Sequence, residues 1–412
     1  MHTVSRTARK ATLSASLLAV ALAAAACGGS SSNDSSGGSS ASPSAGASAA
    51  GGGATAACKL TSPPTSAAQA PAATGSTAKA SGKVGVILPD TTSSTRYTLY
   101  DAPLLQSALT AAGVTPQIQN AGGSTARFQQ IAQSMIGGGV KVLIIDSIDA
   151  TSGAAVEKEA AAAGIKVIDY DRVNLGGTAQ YYVSFDNEDV GKLQGQTLVD
   201  CLNASGVQNP QIIVMSGGKD VDNNAVLFAK GANSVLKPLA DSKKLTIASE
   251  SVVKGWKVEN AAPAFTQALT AAGGQVDGVL AANDDIANAV IGVLQQQGLA
   301  GHVVVTGQDA GVEGLQNILK GTQSMTIFKN VSIEANAAAK LAILLIAGKD
   351  PAASGLVLTP GIDPKNANLK SLLLTPEVIT QSNVQDVVTA GALTAAQICK
   401  GVEKECAANG VK

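Results

Sequence analysis

Polar residues recur in short clusters along the chain, each directly after an apolar run. Asp accepts hydrogen bonds, Arg and Lys donate them, and Asn does both, so such residues can hold a hydroxyl group as donor and acceptor at once. Each cluster alone fits turn chemistry or helix capping equally well. Their recurrence predicts one site for a small polyhydroxy compound. The clusters are Asp171-Arg172, Asp222-Asn223-Asn224, Asn283-Asp284, Gln308-Asp309 and the single Lys329.

The sequence lacks the motifs of several common catalytic and nucleotide-binding sites. GxSxG, GxxxxGK[ST] and GxGxxG do not occur. His302 lies at the start of an apolar run, away from the polar clusters, so a Ser-His-Asp arrangement has no base. No two cysteines have CxxC spacing, which argues against zinc and thiol-redox chemistry. We expect no catalysis, no metal and no cofactor, although residue types leave the paired carboxylates of a glycosidase open.

Trp256 is the only tryptophan of the chain and follows Gly255 after an apolar run. An indole face is a natural platform for the apolar C–H face of a sugar ring. A tryptophan at this spacing is somewhat more often part of a hydrophobic core. The position of Trp256 alone therefore leaves both interpretations open.

The composition excludes several classes of protein. The 412 residues include 29 Lys and Arg against 30 Asp and Glu, so the basic excess that nucleic-acid contacts need is missing. A disordered chain would be poorer in apolar residues than the 45% found here. No apolar run reaches the roughly 18 residues of a membrane span. The length is sufficient for two or three domains, each with its own core.

The N-terminal residues are typical of export and anchoring rather than of a fold. Residues 1–26 have basic residues ahead of a short apolar stretch, as secretory signals do. The following Cys27 resembles the lipidated cysteine of bacterial lipoproteins, although Ala24 stands where that family prefers Leu. An ordinary cleaved signal with an incidental cysteine is the alternative. Residues 27–81, dominated by Gly, Ser, Ala, Thr and Pro, are predicted to be a disordered linker.

Four cysteines remain once Cys27 is set aside, and the sequence does not choose among their three possible pairings. They are Cys58, Cys201, Cys399 and Cys406. The last two are the nearest neighbours in sequence and the favoured pair. In one continuous helix they would be about 10 Å apart, beyond disulfide reach. Their pairing therefore requires the helix to break between them, and Gly401 is a suitable position.

Short β-rich runs alternate with helical segments from Lys83 onward. Several runs are continuously apolar, as expected for strands buried on both faces of a parallel sheet. This alternation predicts an α/β fold with two doubly wound parallel sheets, and the polar clusters then fall at the carboxyl ends of strands, where such sheets bind ligands. The predicted strands are Val84–Leu88, Gln117–Asn120, Val140–Ile145, Val167–Tyr170, Tyr181–Phe185, Ile212–Met215, Thr246–Ser249, Gly278–Ala281, Val303–Thr306 and Met325–Phe328. The predicted helices are 104–112, 128–137, 152–163, 257–272, 285–297 and 331–347.

Several stretches resemble the solute-binding proteins of bacterial ABC sugar importers, and their D-xylose-binding members most of all. They are Gly164–Arg172, Ser184–Glu188, Val221–Ala225, Val235–Pro238, Gly255-Trp256, Gly307–Asp309 and Gly321–Thr326. The resemblance implies a type I periplasmic binding protein, with two doubly wound parallel-sheet lobes joined by three crossover segments near Asp186, Lys329 and 355–375. The expected N-terminal lobe is 82–185 with 330–356. The expected C-terminal lobe is 186–329 with 357–412.

The same resemblance implies a set of sugar contacts and makes Trp256 a stacking residue. The xylose type has Arg-Trp where this chain has Arg96-Tyr97, which reduces the aromatic surface beside the ligand. Stretches 147–151 and 326–329 look more like multiple-sugar binders of glucose, galactose and arabinose. The expected ligand is a monosaccharide, D-xylose first. The implied contacts are Arg96, Tyr97, Asp171, Arg172, Asp222, Asn224, Trp256, Asn283, Asp309 and Lys329.

The expected partners follow from the resemblance and the N-terminus. They are the permease subunits of an ABC transporter and the membrane, reached through a lipid on Cys27, with the protein monomeric and outside the cytoplasm. A sugar-sensing receptor subunit is an alternative that the sequence does not separate. A repressor of the same architecture would need a DNA-binding helix-turn-helix where the signal and linker stand. A secreted glycosidase is the third alternative.

Overall fold

The structure of the protein is a computed structural model that describes residues 58, 60, 62–66, 79–360 and 362–412. The predicted signal peptide 1–26, the predicted lipidation site Cys27 and most of the predicted linker lie outside the described residues. Within the described part of the chain, every helix is too short or too polar to cross a membrane.

Strands and helices alternate from Lys83, as predicted. The strands are β1 (Lys83–Leu88), β2 (Thr115–Asn120), β3 (Val142–Ile145), β4 (Lys166–Tyr170), β5 (Tyr181–Phe185), β6 (Gln211–Ser216), β7 (Thr246–Val252), β8 (Gly278–Ala281), β9 (Val304–Val305), β10 (Met325–Phe328), β11 (Thr359–Pro360), β12 (Lys370–Leu374) and β13 (Glu377–Thr380). The helices are α1 (Ala102–Ala111), α2 (Thr125–Gly137), α3 (Ala150–Ala162), α4 (Asn187–Ala204), α5 (Asn223–Asp241), α6 (Ala261–Ala271), α7 (Asp284–Gln296), α8 (Val312–Lys320), α9 (Val331–Ile346), α10 (Gln385–Thr389), α11 (Ala395–Cys399) and α12 (Glu403–Ala408). The predicted strands and helices all form with boundaries shifted by a few residues, and the others were not predicted.

The N-terminal lobe is built on one sheet with the order β11-β12-β5-β4-β3-β1-β2. Neighbouring strands are parallel except for β11 and β12. β3 reads Val-Leu-Ile-Ile and is buried throughout, because helices cover both faces of the sheet. Among those helices, α1 and α9 contact each other, and α2 contacts α3.

The C-terminal lobe is built on a parallel sheet with the order β7-β6-β8-β9. β10 and β13 form an antiparallel pair beside it, connected through a bridge between Gln308 and Ile327. α4 and α5 pack together, as do α6 and α7. Both lobes therefore have the predicted α/β architecture, and the prediction of the fold class is confirmed.

Three segments cross between the lobes. The chain passes from β5 to α4 at Asp186, from β10 to α9 at residues 329–330, and from β12 to β13 at residues 375–376. The third crossover differs from the predicted lobe boundary. Residues 357–374 were expected in the C-terminal lobe, but β12 pairs in parallel with β5 and extends the N-terminal sheet. The open edge of β5 accounts for this, since an unpaired edge needs a partner strand.

Part of the predicted linker 27–81 is packed against the fold. Cys58 is 3% exposed and forms a disulfide bond with Cys201 of α4. Leu60 packs against the same core, its carbonyl accepts a hydrogen bond from Ser382, and the Ser66 hydroxyl donates to Asp189. The linker prediction was wrong here because composition carries no information on a covalent bond made 143 residues away.

The C-terminal residues form a small addition to the C-terminal lobe. α10, α11 and α12 contribute apolar side chains to a core shared with α8, β10 and β13. Cys399 and Cys406 form a disulfide bond, with their Cα atoms 5.7 Å apart. α11 ends at Cys399, Gly401 has φ 81°, and α12 begins at Glu403. The predicted pairing and the helix break that it requires are both confirmed.

Candidate functional site

All ten residues predicted to contact a ligand line one narrow cavity between the lobes. They reach it from the carboxyl ends of strands in both sheets, as expected for parallel sheets. Gln308, which belongs to the predicted cluster Gln308-Asp309, also lines it. Sequence reasoning missed three further lining residues, Ser93, Ser94 and Phe228.

Arg96 is held by acidic residues of its own lobe. It is 3% exposed and precedes a π-helical turn, Tyr97–Asp101. Its Nε and Nη2 donate to Asp101 at 2.9 and 2.8 Å, its Nη1 donates to Asp171 at 3.2 Å, and Nη2 also bonds Glu334. Burial lowers the pKa of Arg96, but the carboxylates outweigh burial and raise it well above its ordinary value. Most of its donors are thus used within the protein, so Arg96 mainly organises the cavity wall.

Asp171 is a buried carboxylate surrounded by cations. Its Oδ1 accepts from Arg96, its Oδ2 accepts from the Tyr97 hydroxyl at 3.1 Å, and Lys329 Nζ is 4.0 Å away. Burial raises the pKa of Asp171, but Arg96, Lys329 and Arg172 outweigh it and bring the pKa to about 2. Asp171 therefore stays ionised and accepts hydrogen bonds at neutral pH.

Arg172 reaches toward both lobes. Its Nη1 donates to the Ser147 carbonyl at 3.2 Å, and its Nη2 donates to Ser93 Oγ at 3.2 Å and to the Tyr97 hydroxyl at 3.1 Å. Its Nε lies 3.6 Å from Asp222 Oδ2 of the C-terminal lobe. Within the described residues that Nε makes no hydrogen bond. Arg172 therefore offers one unused donor next to an acceptor from the opposite lobe.

Tyr97 lies beside both guanidinium groups. Their Cζ atoms are 5.8 Å (Arg96) and 5.7 Å (Arg172) from the centre of its ring. Its hydroxyl accepts from Arg172 and donates to Asp171. Tryptophan has no hydroxyl for either bond, so the tyrosine at this position adds a polar link to the wall while it presents less aromatic surface.

Asp222 and Trp256 form a pair in the C-terminal lobe. Asp222 precedes α5, where its Oδ1 accepts from the Asn224 amide at 2.8 Å, and its Oδ2 accepts from Trp256 Nε1 at 3.0 Å. The indole is 6% exposed and meets Phe228 edge to face. Gly217 is required beneath it, because a Cβ there would lie 2.1 Å from Trp256 Cη2. Trp256 is therefore both a core residue and a cavity wall.

The side chain of Asn224 connects the two lobes. Its Nδ2 donates to the Asp171 carbonyl at 2.8 Å, and its Oδ1 accepts from Asn187 Nδ2 at 2.9 Å and from the Tyr182 hydroxyl at 3.2 Å. Asn283 caps α7 by accepting from the Ile286 amide at 3.0 Å. Both residues line the cavity, but part of their hydrogen-bonding capacity serves the fold.

Lys329 and Asp309 form an ion pair at the second crossover. Lys329 Nζ lies 3.1 Å from Asp309 Oδ1, which also accepts from Gln308 Nε2 at 3.2 Å. Burial lowers the pKa of Lys329, but Asp309 and Asp171 outweigh burial and raise it. Lys329 therefore stays charged between an acid of each lobe. A movement at this crossover would change both contacts.

Hydrogen-bond donors, acceptors and one indole ring line the cavity together. Within the described residues there is no group of His, Cys, Asp and Glu side chains that could hold a metal. His302 precedes β9, at the opposite end of that strand from the cavity, so no histidine among the described residues could act there as a base. The arrangement suits binding of a small neutral ligand that carries several hydroxyl groups.

A family model described as a periplasmic binding protein domain matches residues 84–350. The chain belongs to this family. It is similar to the D-xylose-binding periplasmic protein of Escherichia coli, with 39% identity over 271 residues, 66% of this chain and 79% of the relative. It is also 33% identical to a multiple sugar-binding periplasmic receptor of Rhizobium radiobacter, over 75% of this chain and 90% of that one.

Solved structures of binding proteins have the same fold. One is a carbohydrate transporter solute-binding protein from Chloroflexus aurantiacus in complex with D-glucose, with 29% identity, a TM-score of 0.68, and coverage of 77% of this chain and 98% of that chain. Another is an ABC transporter solute-binding protein from Clostridium phytofermentans with bound β-D-glucose, with 29% identity, a TM-score of 0.70, and coverage of 77% and 99%. Two lobes around a cleft are thus the architecture of this binding protein.

Proposed function

We propose that this binding protein is the extracytoplasmic sugar-binding component of an ABC importer and that D-xylose is its main ligand. The observation that carries the proposal is the cavity itself, where hydrogen-bonding side chains from both lobes surround the indole of Trp256. The similarity to a D-xylose-binding periplasmic protein supports the choice of sugar. In this proposal all ten residues named from the sequence contact or orient the ligand.

The chemistry of binding follows from the groups that the fold leaves available. Asp222 and Asp309 accept from sugar hydroxyls, while Arg172 Nε and Lys329 donate to them. The Trp256 indole, held by Asp222 and Phe228, stacks on the C–H face of the ring. The lobes close on the sugar by rotation at the three crossovers, a hinge motion known from periplasmic binding proteins. Water is excluded on closure, which strengthens these polar contacts.

Calorimetric titration of the oxidised protein without residues 1–27 tests this proposal. D-xylose is expected to bind with one site per chain and more tightly than D-glucose, D-galactose or L-arabinose. Similar affinities for all four sugars would favour the alternative, a multiple-sugar binder. The similarity to the Rhizobium radiobacter receptor supports that alternative. An absence of heat with every sugar would overturn the proposal.

We further propose that the protein works as a monomer anchored to the membrane by a lipid on Cys27 and delivers sugar to permease subunits. Mass spectrometry of the membrane fraction should find an acylated cysteine, and Cys27→Ser should release the protein into the medium. A sensing role, in which the closed protein contacts a receptor instead, is tested by deleting the permease. Loss of xylose uptake supports transport, whereas intact uptake with a lost transcriptional response supports sensing. Relatives that bind solutes support a binding role without catalysis.

A further inference from the structure

Asp146 is a buried carboxylate behind the cavity wall, next to Arg172, and sequence reasoning did not single it out. It directly follows β3, at the carboxyl edge of the N-terminal sheet, and its exposed fraction is 0%. Neither of its side-chain oxygens makes a hydrogen bond to any described residue. A carboxylate in this state loses the solvation of water without a compensating bond, which costs free energy. A group that donates a hydrogen bond to Asp146 would therefore recover much of this free energy when it binds.

Arg172 Nε is the nearest charged donor and is also unpaired. It lies 3.8 Å from Asp146 Oδ1 and 3.6 Å from Asp222 Oδ2, both too long for a hydrogen bond. The two Nη atoms of Arg172 already bond Ser93, Tyr97 and the Ser147 carbonyl. These bonds fix the guanidinium in place, so it does not turn to meet Asp146 without breaking them.

A single oxygen atom can satisfy both unpaired groups. Two atoms 3.8 Å apart can each lie roughly 2.8 Å from the same oxygen, a normal hydrogen-bond length. A hydroxyl there would donate its proton to Asp146 and accept from Arg172 Nε, which uses both capacities of the group. Burial, and then the charge of Asp171, raises the pKa of Asp146, and a donated hydrogen bond favours its ionised form.

We propose that Asp146 and Arg172 Nε together bind one hydroxyl group of the sugar and that Asp146 is a specificity-determining residue. This inference rests on the proposed function. It requires that the ligand direct a hydroxyl toward the N-terminal lobe at Arg172. A sugar without that hydroxyl leaves a buried carboxylate and a buried guanidinium donor unpaired, and the site rejects it for that reason.

The test is a calorimetric comparison of wild type and Asp146→Ala with D-xylose and the four analogues that each lack one hydroxyl. We expect Asp146→Ala to bind D-xylose about 30-fold more weakly, as for one hydrogen bond to a charged group. One of the four analogues lacks the contacted hydroxyl. The affinities of the variant and of wild type for this analogue should agree within about 3-fold, because the hydrogen bond is already absent. The other three analogues should show the full loss.

Two variants separate this contact from an effect on folding. Glu157→Gln removes another buried carboxylate of the same lobe, which bonds the Thr178 and Ala179 amides away from the cavity, and should leave binding unchanged. Asp146→Asn keeps an acceptor oxygen and should restore part of the affinity. It also allows the same comparison if Asp146→Ala does not fold.

Three results would overturn the inference. The first is unchanged D-xylose binding by Asp146→Ala. The second is that Asp146→Ala loses the same factor of affinity for all four analogues. The third is that Glu157→Gln loses as much affinity for D-xylose as Asp146→Ala does. An equal loss would mean that Asp146 acts through the fold and touches no particular hydroxyl. If wild type binds no sugar at all, the proposed function fails first. If wild type binds D-xylose and the variant binds it equally well, only the role of Asp146 fails.

Discussion

The two lobes hold their halves of the cavity by different means. In the N-terminal lobe, Arg96 is fixed by the buried carboxylates of Asp101, Asp171 and Glu334. In the C-terminal lobe, Asp222 is held by an indole N–H and a backbone amide. Both disulfide bonds of the described residues also lie in the C-terminal lobe. One wall is thus stabilised mainly by ion pairs, and the other mainly by hydrogen bonds from uncharged donors and by disulfide bonds.

This difference implies that the N-terminal wall is already ordered without a ligand. Ion pairs among buried side chains keep Arg96, Tyr97 and Asp171 in one geometry. The C-terminal wall carries fewer internal charges, so its acids are available for a neutral ligand. Several contacts span the lobes. Among them, Arg172 faces Asp222, Lys329 faces Asp171, and the Asn224 side chain bonds the Asp171 carbonyl and the Tyr182 hydroxyl. These spanning contacts would form and break as the lobes close and open.

The loss of Arg96 is expected to have one of the two largest effects. Arg96→Met removes the cation shared by three buried acidic side chains and should lower the free energy of unfolding by about 4 kcal/mol, as when one partner of a buried ion pair is removed. Urea unfolding followed by circular dichroism measures this change. Arg127→Met removes an exposed arginine of the same lobe and is the matched control. Equal stability of the two variants would contradict the view that ion pairs of Arg96 stabilise the N-terminal wall of the cavity.

The second effect separates the two disulfides of the C-terminal lobe. Loss of Cys58–Cys201, which closes a loop of 143 residues, should cost up to about 5 kcal/mol by the loop-entropy estimate. Loss of Cys399–Cys406, with a separation of 7, should cost about 2.4 kcal/mol on the same basis. Double Cys→Ser variants of each pair, unfolded in urea, give the two values. The reverse order would show that the N-terminal segment does not brace the lobe.

The third effect is a loss of stability as the pH rises. Burial raises the pKa of Glu334 and that of Asp284 to about 8, so the folded protein keeps protons that the unfolded chain releases near pH 4. The folded state then binds more protons, and stability falls between about pH 4.5 and 8, by at most about 1.4 kcal/mol per pH unit and group.

One variant in each lobe assigns that pH dependence. Glu334→Gln should remove the part of the pH dependence that comes from Glu334, and Asp284→Asn the part that comes from Asp284, when unfolding is measured from pH 5 to 8.5. Asp171 contributes the opposite trend, because its pKa of about 2 stabilises the fold above pH 4 and that stability is lost as the pH falls toward 2. A flat profile in wild type over pH 5 to 8.5 would contradict these assignments.

The smallest expected effect concerns the C-terminal wall of the cavity. Trp256→Phe keeps an aromatic ring but removes the hydrogen bond from Nε1 to Asp222. We expect sugar affinity to fall only about 5-fold, because the variant keeps the ring and Asp222 and loses only the bond that positions them for the ligand. Calorimetry measures the affinity and urea unfolding the stability. A stability loss as large as that of Arg96→Met would mean that this wall also depends on a single buried contact.

The sequence predicted the strands well because β3, β8 and β10 are continuously apolar. It did not predict α4, whose buried face includes Asn187, Gln194 and Thr197. These polar residues bond other buried groups and blur the apolar stripe on which helix prediction depends. Propensity and periodicity therefore find apolar elements more readily than polar ones.

The sequence predicted most of the residues that line the cavity, but it did not predict the buried residues that lie behind them. Glu334 is 238 residues from its partner Arg96, and no local pattern indicates a pair at that distance. Asp146 follows a predicted strand as the other candidates do, so that position was a usable signal. The burial of Asp146 and the unpaired state of its oxygens become visible only in the structure.

Titration of D-xylose into wild type and Arg172→Ala is the decisive experiment on the proposed sugar site, because Arg172 lies between the lobes and contributes an unused donor. We expect one bound sugar per chain in wild type and no measurable binding in the variant. Circular dichroism should show that both proteins are folded. Normal D-xylose binding by a folded Arg172→Ala variant would contradict the account, as would the absence of binding by wild type to any monosaccharide.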